Sequence, residues 1–143
     1  MKSLKLNPSN AYFYAVINWY LKVIAEDSNY NTDFYKSIIV YIRLFSNYSE
    51  NWLDNCSYCT LYKNNSKSHS CTFNGGCPLK PNNISYGCNN YTPYFTWYYR
   101  KSYNNAKAVL FQIFDTCPKV KLTKRQDEIV NEIKRLYNYE NKT

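Results

Sequence analysis

At 143 residues, with 45% hydrophobic and 19% aromatic side chains, the chain can build one domain around its own core and is too apolar for a disordered segment. Three glycines and five prolines supply little turn chemistry, which argues against a many-turned β fold and for long helices. A net charge of +8 favours acidic partners over basic ones.

The first element in the chain is AYFYAVINWYLKVIA. Ser9 or Asn10 can cap it, and Phe13, Val16, Ile17, Tyr20, Leu21 and Ile24 recur at helical spacing, so a helix is expected to end between Glu26 and Asn29. Asn18 and Lys22 interrupt the apolar run, which falls short of the roughly 18 residues of a spanning helix. No small-residue cleavage site follows it. The stretch therefore reads as an amphipathic helix of a cytoplasmic protein that makes no membrane contact. A second helix is expected after Asn31 or Thr32, with Phe34, Ile38, Tyr41, Ile42 and Phe45 on one stripe. Ile39, Val40 and Leu44 widen that stripe around the helix, which predicts that the second helix is the central one.

Periodicity stops between about Asn47 and Asn90, where Asn, Ser, Gly and Cys dominate. More than forty irregular residues in a compact domain call for a cross-link. Thr92-Pro93 then places a hydroxyl and a proline where a helix starts, and YFTWYYRKSY continues into AKAVLFQIF as a third helix with a loosening at Asn104-Asn105. Thr123 and Gln126 stand at capping-box spacing ahead of a fourth stripe, Ile129, Val130, Ile133, Leu136 and Tyr137. The expected architecture is mainly α, with about four helices around one core. Residues 1–46 and 92–143 supply a helical pair each, and residues 47–91 form an irregular cysteine-rich module inserted between the second and third helices.

Five of the six cysteines lie in that module as Cys56-x2-Cys59-x11-Cys71-x5-Cys77-x10-Cys88. A Cys-x2-Cys knuckle aims two thiolates at one ion, and a second pair across a loop completes a tetrahedron. One structural zinc held by Cys56, Cys59, Cys77 and Cys88 is the leading reading, with Cys71 as the alternative ligand and His69 behind it. Disulfides in a secreted, disulfide-stabilised protein and an iron–sulfur cluster are the competing readings. Cys117, beyond the third helix, reads as a packed thiol.

CSYC, then the CP of TFNGGCPLK, then GCNNYTPYFTW resembles a pattern of small phage and prophage proteins. That pattern runs Cys-x-x-Cys, Cys-x-x-Cys-Pro, and then Cys shortly before Thr-Pro-Tyr. This chain has five residues rather than two between Cys71 and Cys77. The resemblance covers residues 56–97 and implies a viral or mobile-element origin, with a thiolate site at Cys56, Cys59, Cys71, Cys77 and Cys88. Action in a host cytoplasm, including inhibition of a host defence complex, fits such an origin.

Charge is unevenly distributed. Residues 1–54 hold five basic and five acidic side chains, whereas residues 55–114 hold six basic side chains and no carboxylate. Lys63, Lys67, Lys80, Arg100, Lys101 and Lys107 alternate there with aromatics that include Trp97 and Tyr98. Cations attract phosphate and carboxylate, and aromatic faces stack on unpaired bases. The expected partner is an acidic host protein or nucleoprotein complex; the alternative is single-stranded DNA or RNA bound in zinc-knuckle fashion. No GxSxG, HExxH, phosphate-binding glycine loop or spaced carboxylate pair occurs, and His69 is the only histidine, so no enzyme is expected.

Overall fold

A computed structural model describes residues 8–45, 92–116 and 121–140 of the chain. Five helices and no strand occur among these residues: α1 (Pro8–Ala25), α2 (Thr32–Phe45), α3 (Thr92–Tyr99), α4 (Tyr103–Thr116) and α5 (Lys124–Leu136). The mainly helical fold matches the sequence expectation, with one helix more than expected.

The centre of the molecule is α1, not α2. Every residue from Ala11 to Tyr20 is buried, including Asn18 at 1% exposure, and Val23 and Ile24 extend the contact. A helix covered on all sides lies inside the fold, and among the described residues α4 and α5 pack on it, with rings of α2 against Phe13 and Tyr20. Tyr12, Tyr14, Trp19 and two alanines bury the flanks that a single-stripe reading leaves to solvent. The helix also starts at Pro8, ahead of the expected caps, because proline lacks only a donor that the first turn would leave unpaired.

The turn into α2 is fixed by local hydrogen bonds. Asp27 accepts from the Asn29 amide at 2.9 Å, and the Asn31 side chain accepts from the Phe34 amide at 3.0 Å, which caps α2 where the sequence places its start. Ile38 and Ile42 are buried, and Phe34 and Tyr41 meet Tyr20 and Phe13 edge-on at 5.7 and 6.0 Å between ring centroids. Val40 remains 53% exposed. The wide apolar girth that suggested a central α2 therefore overstates its burial: one stripe of α2 faces α1, and Val40 stands off it.

The long third helix of the sequence reading is two helices. The break falls at Arg100–Ser102 rather than at Asn104-Asn105. Ser102 accepts the Asn105 amide through Oγ at 3.2 Å and so caps a new helix, and the Asn105 side chain donates back to the Arg100 carbonyl at 2.7 Å. The asparagine that reads as a weak point in the helix is the brace of the break. From there α4 buries Ala106, Val109, Leu110, Ile113 and Phe114 at i, i+3, i+4, i+7 and i+8 and packs on α1.

The expected capping box is present at α5: Thr123 and Gln126 each accept the other's backbone amide, at 3.2 and 3.0 Å. Ile129, Val130 and Ile133 carry its buried stripe. Its far end turns through Asn138, whose φ of 55° lies in the left-handed region that asparagine tolerates. The Tyr139 amide donates to the Lys134 carbonyl and the Asn138 amide to that of Arg135, closing the turn. The Tyr139 ring then meets Phe111 edge-on at 5.1 Å and Phe114 at a tilt at 4.8 Å, and its hydroxyl donates to the Asp115 carboxylate at 2.6 Å. Residues of α1, α2, α4 and α5 share one core, so the segments on either side of residues 46–91 fold together.

That closure is expected to make stability fall in alkali. Burial and the bond to Asp115 raise the Tyr139 phenol to about 12, and burial raises Tyr20 and Tyr137 further. An unfolded tyrosine ionises near pH 10. A group whose folded pKa is raised contributes stability that is complete below pH 10 and is lost as pH rises through its folded value. Urea midpoints are expected to hold up to about pH 10 and to fall between there and about pH 12. Tyr139→Phe should cost about 1 kcal/mol at neutral pH and make that alkaline decline shallower. An unchanged decline in the variant would show that Tyr139 does not contribute to it.

A candidate partner-binding surface at the junction of α3 and α4

The end of α3 brings aromatic and basic side chains to one place. Tyr98 and Tyr99 are 50% and 72% exposed, their rings perpendicular at 5.2 Å. Arg100 and Lys101 follow at the helix end, and both are exposed. The partial negative charge of a helix C-terminus favours cations there. The backbone beneath them is held: the Arg100 amide donates to the Thr96 carbonyl at 3.0 Å, and its own carbonyl accepts from Asn105. Two solvated rings and two solvated cations thus project from a braced turn.

Trp97 connects this surface to the core. It is half-buried, with its ring edge-on to the buried Trp19 of α1 at 4.8 Å. The Lys101 ammonium lies 5.3 Å from the centre of the Trp97 ring and 5.6 Å from that of Tyr98. Trp97 therefore acts first as the anchor that seats α3 on α1, and it holds Lys101 as well. Lys107 stands over Tyr103 and Phe111 of α4, at 5.0 and 5.9 Å.

Lys22 belongs to the same cluster, and the sequence reading missed it. Its ammonium lies 5.2 Å from the Trp19 ring and 5.9 Å from that of Trp97, and it donates to Asn18 Oδ1 at 2.8 Å. Spacing on α1 puts Lys22 beside Asn18 and Trp19, four and three residues before it, but only the contact of α1 with Trp97 brings it to this cluster. Tyr99, an aromatic of the same acid-free stretch, is the more exposed of the two tyrosines. The ion pairs that the described residues make with one another, Arg125–Glu128 and Arg135–Glu132, both lie in α5. Arg100, Lys101 and Lys107 pair with no carboxylate among the described residues.

The remaining candidate residues, Lys63, Lys67, Lys80, His69 and Cys56, Cys59, Cys71, Cys77, Cys88 and Cys117, lie outside the described residues. Among the described ones, no three His, Cys, Asp or Glu side chains come together as a metal group. A second surface feature, an open groove of about 600 Å³, runs between α2 and α5 past Val40 and Tyr41, with Lys36 and Arg125 beside them. No helix among the described residues is long and apolar enough to cross a membrane. No protein-family model, curated protein or solved structure matches the chain.

Proposed function

We propose that the chain is a binding protein of viral or mobile-element origin that engages an acidic surface of a host nucleoprotein complex and acts as an inhibitor, including of host defence. The observation that carries the reading is the braced junction of α3 and α4, where Tyr98, Tyr99, Arg100 and Lys101 face solvent together. Local excess charge steers encounter with an acidic partner, and adjacent aromatic faces add short-range contact area. One zinc ion held by the cysteine module, with Cys56 and Cys59 as its first pair, belongs to the same proposal. The resemblance over residues 56–97 supports the origin and the thiolate site. The absence of any recognisable catalytic constellation from the sequence supports binding rather than catalysis.

The test is a double charge reversal, Arg100→Glu with Lys101→Glu, in the full chain. Both side chains are exposed, so the circular dichroism spectrum should not change. Retention on a polyanionic heparin column and capture of the host complex from lysate should both drop at least tenfold. Full retention and capture by the variant would refute the reading.

A further inference from the structure

We infer that the groove between α2 and α5 binds a medium-chain fatty acid, with its hydrocarbon chain along Val40 and Tyr41 and its carboxylate at a rim formed by Lys36 and Arg125. The groove shares no residue with the junction of α3 and α4 and adds a ligand to the binding role proposed above. Lys36, Ser37, Val40 and Tyr41 fall at i, i+1, i+4 and i+5 and so present one face of α2 to it. Its volume, about 600 Å³, lies within the roughly 300–1,000 Å³ of small-molecule sites. The walls are almost wholly carbon, although two cationic side chains and a serine belong to them. Lys36 and Arg125 therefore give their methylene stems to the walls and hold their charged ends at the rim. The Ser37 hydroxyl turns to the Phe34 carbonyl at 2.7 Å, and the Tyr41 ring meets the buried Phe13 edge-on. Val40 stands 53% exposed, an apolar side chain of the groove still in contact with water.

Size and charge select the occupant. A standard protein interface takes about 20–30 residues a side, whereas five described residues line this groove, which suits a single chain of carbons. The sign of the head group follows from the rim. Lys36 is exposed and pairs with no carboxylate among the described residues. Arg125 pairs with Glu128 at 3.3 Å, but both side chains are about half exposed, and such solvated pairs are weak enough for Arg125 to turn to a second carboxylate. Asp33, Glu128 and Glu132 line a separate hollow that has only Arg125 in common with the groove among their described residues. An anionic head thus meets two cations at the rim, and a cationic head meets two like charges.

Isothermal titration calorimetry of the full chain with sodium dodecanoate, kept below its micelle concentration, tests the inference. Saturable binding is expected, and dodecyltrimethylammonium, with the same chain and the opposite charge, should bind about tenfold more weakly. Val40→Asp should weaken dodecanoate binding about tenfold, because it sets a carboxylate in the apolar wall. Lys36→Glu should weaken it about threefold and narrow the gap to the cationic amphiphile. Both positions are exposed, so the circular dichroism spectrum should not change in either variant. Arg100→Glu with Lys101→Glu should leave dodecanoate binding unaltered. Absence of saturable binding, equal binding of the cationic amphiphile, unaltered binding in Val40→Asp, or binding to anionic vesicles without binding of free dodecanoate overturns the inference. The contact surface at α3 and α4 stands in each of those cases. Loss of dodecanoate binding on reversing Arg100 and Lys101 would move the ligand out of the groove and overturn it as well.

Discussion

Trp19→Ala should destabilise the protein by about 3–5 kcal/mol, read as a lower urea midpoint. Trp19 is 1% exposed at the middle of a helix that is buried on all sides, so truncation leaves a cavity that the surrounding helices cannot easily fill. It also removes the ring against which Trp97 seats and over which Lys22 lies. Stability and partner binding should therefore fall together in this variant. Val40→Ala, at a position 53% exposed on α2, should change the midpoint by less than about 1 kcal/mol. The ranking of the two matters more than either value. A Val40 variant as damaging as the Trp19 variant would place α2, not α1, at the centre.

The second large effect concerns the cysteines. Purified protein is expected to carry about one zinc ion per chain. Cys56→Ser or Cys59→Ser should remove it, whereas Cys117→Ser should keep it. Elemental analysis of the three variants reads the result directly. Loss of metal in Cys117→Ser would redraw the site, and mass spectrometry showing disulfides in a metal-free protein would replace zinc altogether. Chelation should release the cysteine module, because ligation energy is folding energy there. The helical circular dichroism should largely persist, since the core shared by α1, α2, α4 and α5 is built from Ile, Val, Leu, Ala, Phe, Tyr and Trp, with no cysteine among its described residues.

Several of these features were legible in the sequence, for local reasons. The capping box at Thr123 and Gln126 and the Asn31 cap are decided within four residues, and both appear where the spacing puts them. The α5 stripe at Ile129, Val130 and Ile133 was equally clear, because branched aliphatics are unambiguous core residues. What periodicity could not weigh were tyrosine, tryptophan and alanine. Tyr12, Tyr14 and Trp19 bury rings that a polar tip disguises, and their burial moves the centre of the molecule from α2 to α1. The break at Arg100–Ser102 was missed because it depends on a side chain folding back five residues, from Asn105 to the Arg100 carbonyl. The binding surface was half legible. Adjacent Arg100 and Lys101 in an acid-free stretch marked the place, but the contribution of Lys22 comes from the packing of α1 on α3, which no linear spacing within residues 55–114 contains.

The claim that the junction of α3 and α4 is the contact surface is tested most directly by hydroxyl-radical footprinting of the full chain with and without its partner. Protection is expected at Tyr98 and Tyr99, with Arg100→Glu/Lys101→Glu abolishing it at unchanged circular dichroism. Tyr103, half-buried beside Lys107, should show a smaller change. Protection confined instead to Tyr41 and Val40 beside Lys36 and Arg125, or loss of binding on reversing Lys2, Lys5 or Lys36 while Arg100 and Lys101 prove dispensable, would place the partner elsewhere and contradict the account.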